Sequence, residues 1–140
     1  MGLAQLAKCE TLRDRRALLA ERYQRLLSPF DAFDTPSVPE WARHAWHLYV
    51  LRVNDSVLRI GRDRVIEELK QRGIETSVHF IPLHLHRLYQ QRLGYRPGDF
   101  PNAEKSFEAS ISLPMYPDMT NLEQDQVAEA LHDIAREYRR

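Results

Sequence analysis

The sequence is poor in residues on which several chemistries depend. Cys9 is its one cysteine, which excludes an intrachain disulfide and a cysteine-based metal cluster. Such a chain fits a reducing compartment, and a cytoplasmic protein is expected. There are five glycines, and they form neither a GxGxxG fingerprint nor a P-loop, so no phosphate-cradling loop is expected. Lysine is confined to Lys8, Lys70 and Lys105, and the other cations are arginines. No apolar run approaches the ~18 residues of a membrane span. Residues 1–10 lack the continuous apolar core of a signal peptide. The 20 basic and 20 acidic residues cancel. Binders of nucleic acid or acidic membranes carry a net basic field, so neither partner is expected.

What is present is ordinary for one globular domain: 140 residues, 43% apolar and 29% charged, without internal repeats or low-complexity stretches. Residues 3–27 read as one long helix, with Leu12, Leu19, Tyr23, Leu26 and Leu27 near one face. Its pattern starts at full amplitude with no N-cap near residue 1, as if cut rather than begun. Ser28 and Pro29 end it. Pro29, Pro36 and Pro39 make residues 28–40 a stiff loop. Residues 46–53 are aromatic and β-branched, a strand with apolar side chains on both faces and therefore covered on both sides.

A helix follows over residues 62–72, with Val65, Ile66 and Leu69 inward. Gly73 is placed to end it in a left-handed conformation, and Ile74 to pack back on Leu69. Residues 75–80 read as a second strand, stopped by Pro82. Residues 86–93 form a short helix and 94–99 a turn. Pro101 opens a helix running to 109. Residues 111–113 make a third short strand. Thr120 and Glu123 have the spacing of a capping box. The last helix runs to about residue 138, with Val127, Leu131, Ile134 and Tyr138 in one stripe. The predicted fold class is α+β: a small three-stranded sheet covered by helices, with a long N-terminal helix. That helix is longer than such a domain needs.

Chemistry concentrates in residues 76–86. A strand breaks there into a loop carrying His79, His84 and His86, and loops leaving rigid elements are common binding sites. Three readings apply. Metal ligation lacks support, because Glu75 and Asp99 lie outside the cluster and no HExxH spacing occurs. In the bland reading His79 is a half-buried strand residue and His86 is solvated. In the third, His79 and His84 line a pocket and hydrogen-bond a polar ligand, since imidazole donates and accepts near neutral pH. Ser77 shares a face with His79 but lacks the glycine-framed elbow of a nucleophile. Arg59, Arg62 and Arg64 surround a helix start, either as a solvated helix end or as a contact to an anionic partner. Trp41 and Trp46 read as core and interface, and Tyr89 and Tyr95 as cleft-lining residues.

Five blocks then occur in order. They are His47–Val50, Arg62 through Gly73 and Ile74, Val78 through His84, Phe100 through Glu104, and Ser112 through Thr120. The series resembles the C-terminal part of the DegT/DnrJ/EryC1/StrS aminotransferases. The resemblance implies an aspartate-aminotransferase-like fold and pyridoxal phosphate (PLP) in the full-length protein. It also implies a nucleotide-linked keto-sugar substrate and a homodimer. Residues 1–27 would be the helix leading out of a large domain, and 28–140 the small domain.

By the same resemblance His79, Phe80, Pro82 and His84 are substrate-side residues, with Phe80 where the family often has Tyr. Nothing is carried onto His86. The family's Schiff-base lysine, its acid on the pyridine nitrogen and its phosphate-binding residues belong to the large domain. Lys8, Lys70 and Lys105 match none of them. No catalytic, cofactor-binding or metal-binding residue is therefore expected in this chain. It should be inactive and hold no PLP alone. The alternative is a non-catalytic binding or interaction module that keeps the fold.

Overall fold

A computed structural model of the chain describes residues 2–140, so Met1, the first residue of the expected 1–27 segment, lies outside the described residues. The elements run α1 (Gly2–Leu6), α2 (Cys9–Leu27), β1 (Phe33–Asp34), β2 (Tyr49–Val53) and α3 (Arg62–Gln71). A 3₁₀ turn (Leu83–Leu85), α4 (Arg87–Leu93), α5 (Pro101–Ala109), β3 (Ser110–Leu113) and α6 (Asn121–Glu137) follow. The three strands form an antiparallel sheet in the order β1-β2-β3. This is the expected α+β class, a small sheet covered by helices.

The amphipathic stripes of α2 and α6 place the core. α6 buries Val127, Leu131 and Ile134, and α2 buries Leu19, Tyr23 and Leu27. Both pack around Tyr49, Leu51 and Val53 of β2 and Ile111 and Leu113 of β3. Full burial of each such side chain contributes about 1.5–3 kcal/mol. The hydroxyl of Thr120 accepts the Glu123 amide at 3.2 Å, and the Glu123 carboxylate accepts the Thr120 amide at 2.7 Å. This capping box starts α6 where its spacing predicts. At the end of α3, Gly73 takes φ +77°. The Gly73 amide donates to Lys70 and the Ile74 amide to Leu69, both at 2.9 Å, and Ile74 is buried. The Schellman closure follows from having no Cβ at that position.

Four expectations change. The first helix is interrupted at Ala7 and Lys8, where the Lys8 amide bonds to Gln5 in an i→i−3 turn. α1 buries nothing, so no packing holds it in line with α2. The proline loop contains a strand: Phe33 pairs with Val53 and Asp34 with Arg52. The strand over residues 46–53 begins only at Tyr49. Trp46 has φ +48°, and Arg16 holds the carbonyls of Trp46 and His47 at 3.2 Å, away from any ladder. β2 is also buried on one face only, with Val50 half-exposed and Arg52 exposed.

The fourth change matters most for the site. Residues 75–80 make no strand. Ser77 alone bridges to Ser112, exchanging bonds of 3.2 and 2.8 Å. Val78 and Phe80 lie exposed with no layer over them. Without burial on that face, nothing reinforces a longer ladder. Beyond the bridge at Ser77 the segment leaves the sheet edge.

Candidate functional site

The site is built from this departing segment, the turn after it, and the element that follows. His79 is half-buried, and its Nδ1 lies 3.0 Å from Ser112 Oγ on β3. Phe80 is 83% exposed, and its ring meets His79 edge-on with centroids 5.1 Å apart. Pro82 precedes the 3₁₀ turn with φ −51°, the value its ring enforces. The turn swings His84 inward, leaving it 5% exposed. His84 Nε2 sits 2.7 Å from Oε1 of Glu104, on the first turns of α5. The His86 ring donates to the Ile81 carbonyl at 3.2 Å and closes the loop on itself.

The expected site residues thus fall into two groups. His79 and Phe80 stand together at the sheet edge. Pro82 and His84 line a groove of about 400 Å³ on the other side of the turn, with Tyr89, Tyr95, Phe100 and neighbouring aliphatic groups. Tyr89 and Tyr95 line the groove as cleft residues. Phe100 stacks obliquely on His84 at 4.8 Å and takes the edge of Tyr95 at 5.3 Å. The walls are aromatic and apolar, which suits the flat faces of rings. His84 is the polar side chain among them, and Glu104 orients it.

The residues missed by spacing alone are Ser112 and Glu104. Each orients one histidine from a different element. Glu104 also accepts the Gly98 amide at 2.7 Å, and Gly98 takes φ +95° to make that approach. The bond to His84, then that from Gly98, holds the Glu104 carboxyl below the usual carboxylate range. Glu104 lies in one of the blocks carrying the family resemblance, and nothing nearer in sequence points to its pairing.

Other candidates resolve into structure. Arg59 lies over the Tyr138 ring and donates to the Glu137 carbonyl. Arg62 reaches the carbonyls of Phe107 and Ser110, and Arg64 pairs with Glu67 and Glu68. The arginines around the start of α3 are thus engaged within the fold. Trp41 is 88% exposed, not core, whereas Trp46 packs against Tyr49. Among the described residues no group of three or more His, Cys, Asp and Glu side chains is placed to hold a metal ion. Among them also, no helix is long and apolar enough to cross a membrane.

Comparison with known proteins accounts for the same stretch. A sequence profile of the DegT/DnrJ/EryC1/StrS aminotransferase family matches residues 1–132. The protein MJ1066 of Methanocaldococcus jannaschii is 46% identical over 139 residues, which are 99% of this chain and 36% of that protein. The spore coat polysaccharide biosynthesis protein SpsC of Bacillus subtilis is 42% identical over 97% of this chain and 35% of its own length. The chain therefore spans about a third of the relatives it matches. Among solved structures, Helicobacter pylori PseC, an aminotransferase of pseudoaminic acid biosynthesis, superposes with a TM-score of 0.86 at 26% identity. It is matched over 98% of this chain and 36% of PseC. Solved relatives have been captured with PLP, with pyridoxamine phosphate and with a ketimine intermediate. This chain belongs to the DegT/DnrJ/EryC1/StrS aminotransferase family.

Proposed function

We propose that the chain is the substrate-side small domain of a PLP-dependent aminotransferase acting on nucleotide-linked keto-sugars, and that it does not transaminate alone. In this reading residues 1–27 lead from a large domain and 28–140 form the small domain of a cytoplasmic homodimer. His79, Phe80, Pro82 and His84 face the substrate. The observation that carries the reading is the junction at Pro82. On either side of it in sequence stand two imidazoles, His79 bonded to Ser112 and His84 bonded to Glu104, with the exposed side chains of Phe80, Ile81 and Leu83 between them.

The cofactor would be held elsewhere. Lys8 lies in the exposed turn between α1 and α2, Lys70 on the exposed face of α3 and Lys105 on that of α5. No lysine lines the groove beside His84. These residues do not fit a PLP site, so no chemical step is assigned to them. In the full-length enzyme PLP would carry the amino group, and this chain would bind and orient the sugar nucleotide.

Titration of the isotopically labelled chain with UDP- and dTDP-linked keto-sugars tests the reading. Amide and imidazole shifts concentrated at residues 79–86 are expected. Absence of shifts there at saturating sugar nucleotide removes it.

The exposure of Phe80, Ile81 and Leu83 favours a second reading, a non-catalytic interaction module. A partner protein that shifts the first helix, with sugar nucleotides silent, would support that reading instead.

A further inference from the structure

Glu104 places one carboxylate oxygen between two donors. Its Oε1 lies 2.7 Å from His84 Nε2 and 2.7 Å from the Gly98 amide nitrogen. The Gly98 N–H can only donate, and an ionised carboxylate can only accept. The imidazole facing the same oxygen must therefore donate as well. We infer that Glu104 is a positioning residue that fixes His84 as its Nε2–H tautomer, leaving Nδ1 of the neutral ring as a hydrogen-bond acceptor.

Three features make the arrangement rigid. His84 is nearly buried, so water does not compete freely for the ring. Phe100 packs obliquely against it and limits rotation. Pro101 starts α5 and sets Glu104 three residues into the helix, beneath the 3₁₀ turn. A second group bonded to the far nitrogen of an imidazole commonly decides which tautomer the ring presents.

The functional consequence rests on reading His84 as a substrate-side residue. A group that meets Nδ1 must then be a donor. The ring would receive a sugar hydroxyl and would not donate to a carbonyl or phosphate oxygen. This assigns a preference for a hydroxyl at that point of the substrate.

The test uses the intact 140-residue chain labelled with ¹⁵N. Two-bond ¹H–¹⁵N spectra of the imidazoles are recorded at about pH 8, above the ordinary histidine range. His84→Gln identifies the His84 signals by their loss. The expected spectrum shows His84 wholly as the Nε2–H form. Glu104→Gln should keep that form, because its amide oxygen still accepts from His84 and Gly98. Glu104→Ala should release the ring into a mixture of tautomers.

A wild-type His84 in the Nδ1–H form, or as a mixture, overturns the inference. So does a Glu104→Ala spectrum in which the His84 signals do not move. If Glu104→Ala does not fold, the wild-type and Glu104→Gln spectra decide. A fixed tautomer with no response to sugar nucleotides would instead remove the substrate-side reading and leave the positioning role standing.

Discussion

The phenol of Tyr23 donates to the carbonyl of Pro114 at 2.9 Å, tying the middle of α2 to the chain as it leaves β3. Both the ring and that of its neighbour Tyr49, tilted against it with centroids 5.1 Å apart, are fully buried. Burial pushes the Tyr23 hydroxyl well above its ordinary titration range, so it remains a donor at any physiological pH. Tyr23→Phe keeps the packing and removes the donor. It should cost about 1 kcal/mol in urea unfolding, the net worth of one such bond. Tyr23→Ala should cost about 3–5 kcal/mol, because it also opens a cavity. Equal losses for the two variants would mean that the bond, not the ring, does most of the stabilising.

Arg16 joins the same region from another side. One of its guanidinium nitrogens lies 3.2 Å from each of the carbonyls of Trp46, His47 and Met115. Trp46 keeps a left-handed backbone there, with its amide donated to His44 Nδ1 at 2.9 Å. Arg16→Ala leaves these carbonyls unsatisfied and should destabilise by about 2 kcal/mol. It should also shift the fluorescence of Trp46, which Trp46→Phe confirms as the source. An unchanged emission spectrum in folded Arg16→Ala would show that Trp46 holds its conformation without the clamp.

Gly73 tests the end of α3. No neighbouring atom stands where its Cβ would be, so Gly73→Ala creates no clash. The cost is that of left-handed backbone alone, about 1–2 kcal/mol. Thermal unfolding measures it, and a variant as stable as the wild type would contradict the assignment.

Glu68 predicts the acid response. Its buried carboxylate accepts from Arg64 and Arg72 at 2.5 Å and from the Tyr138 hydroxyl at 2.9 Å. The bond from Arg72, then that from Tyr138, holds its pKa below the ordinary range. A carboxylate with a lowered folded pKa stabilises the fold at pH values above its unfolded pKa, about 4.3. That contribution disappears as pH falls through the lower folded value. Glu68→Gln should therefore be less stable than wild type at neutral pH. The gap between their urea midpoints should close on acidification below about pH 4. A gap that stays constant with pH would show that packing, not charge, accounts for the difference.

These features differ in how far the sequence reveals them. The capping box at Thr120 and the closure at Gly73 are local, set within a few residues, and both stand where their spacing places them. β1 is two residues long and exists only because Val53 and Arg52 come to pair with it, so its own proline-rich surroundings conceal it. Residues 75–80 carry a strand's alternation, but a ladder also needs a covered face, and Phe80 has none. The histidines around Pro82 are visible as a cluster. Their partners are not: Ser112 lies 33 residues from His79 and Glu104 lies 20 from His84, and only the tertiary fold joins them. The family resemblance names the same loop but says nothing of which nitrogen each ring presents.

In the proposed function this chain supplies the substrate-side part of a sugar aminotransferase. A chimera in which this chain replaces the matching C-terminal third of Helicobacter pylori PseC, assayed with PLP supplied for the aminotransferase reaction of intact PseC, tests it most directly. The chimera should carry out that reaction, and His79→Ala and His84→Ala in it should reduce kcat/KM by at least about tenfold, or about 1.4 kcal/mol of transition-state binding. A chimera that folds and retains PLP but does not carry out the reaction, or one indifferent to both histidines, would contradict the account.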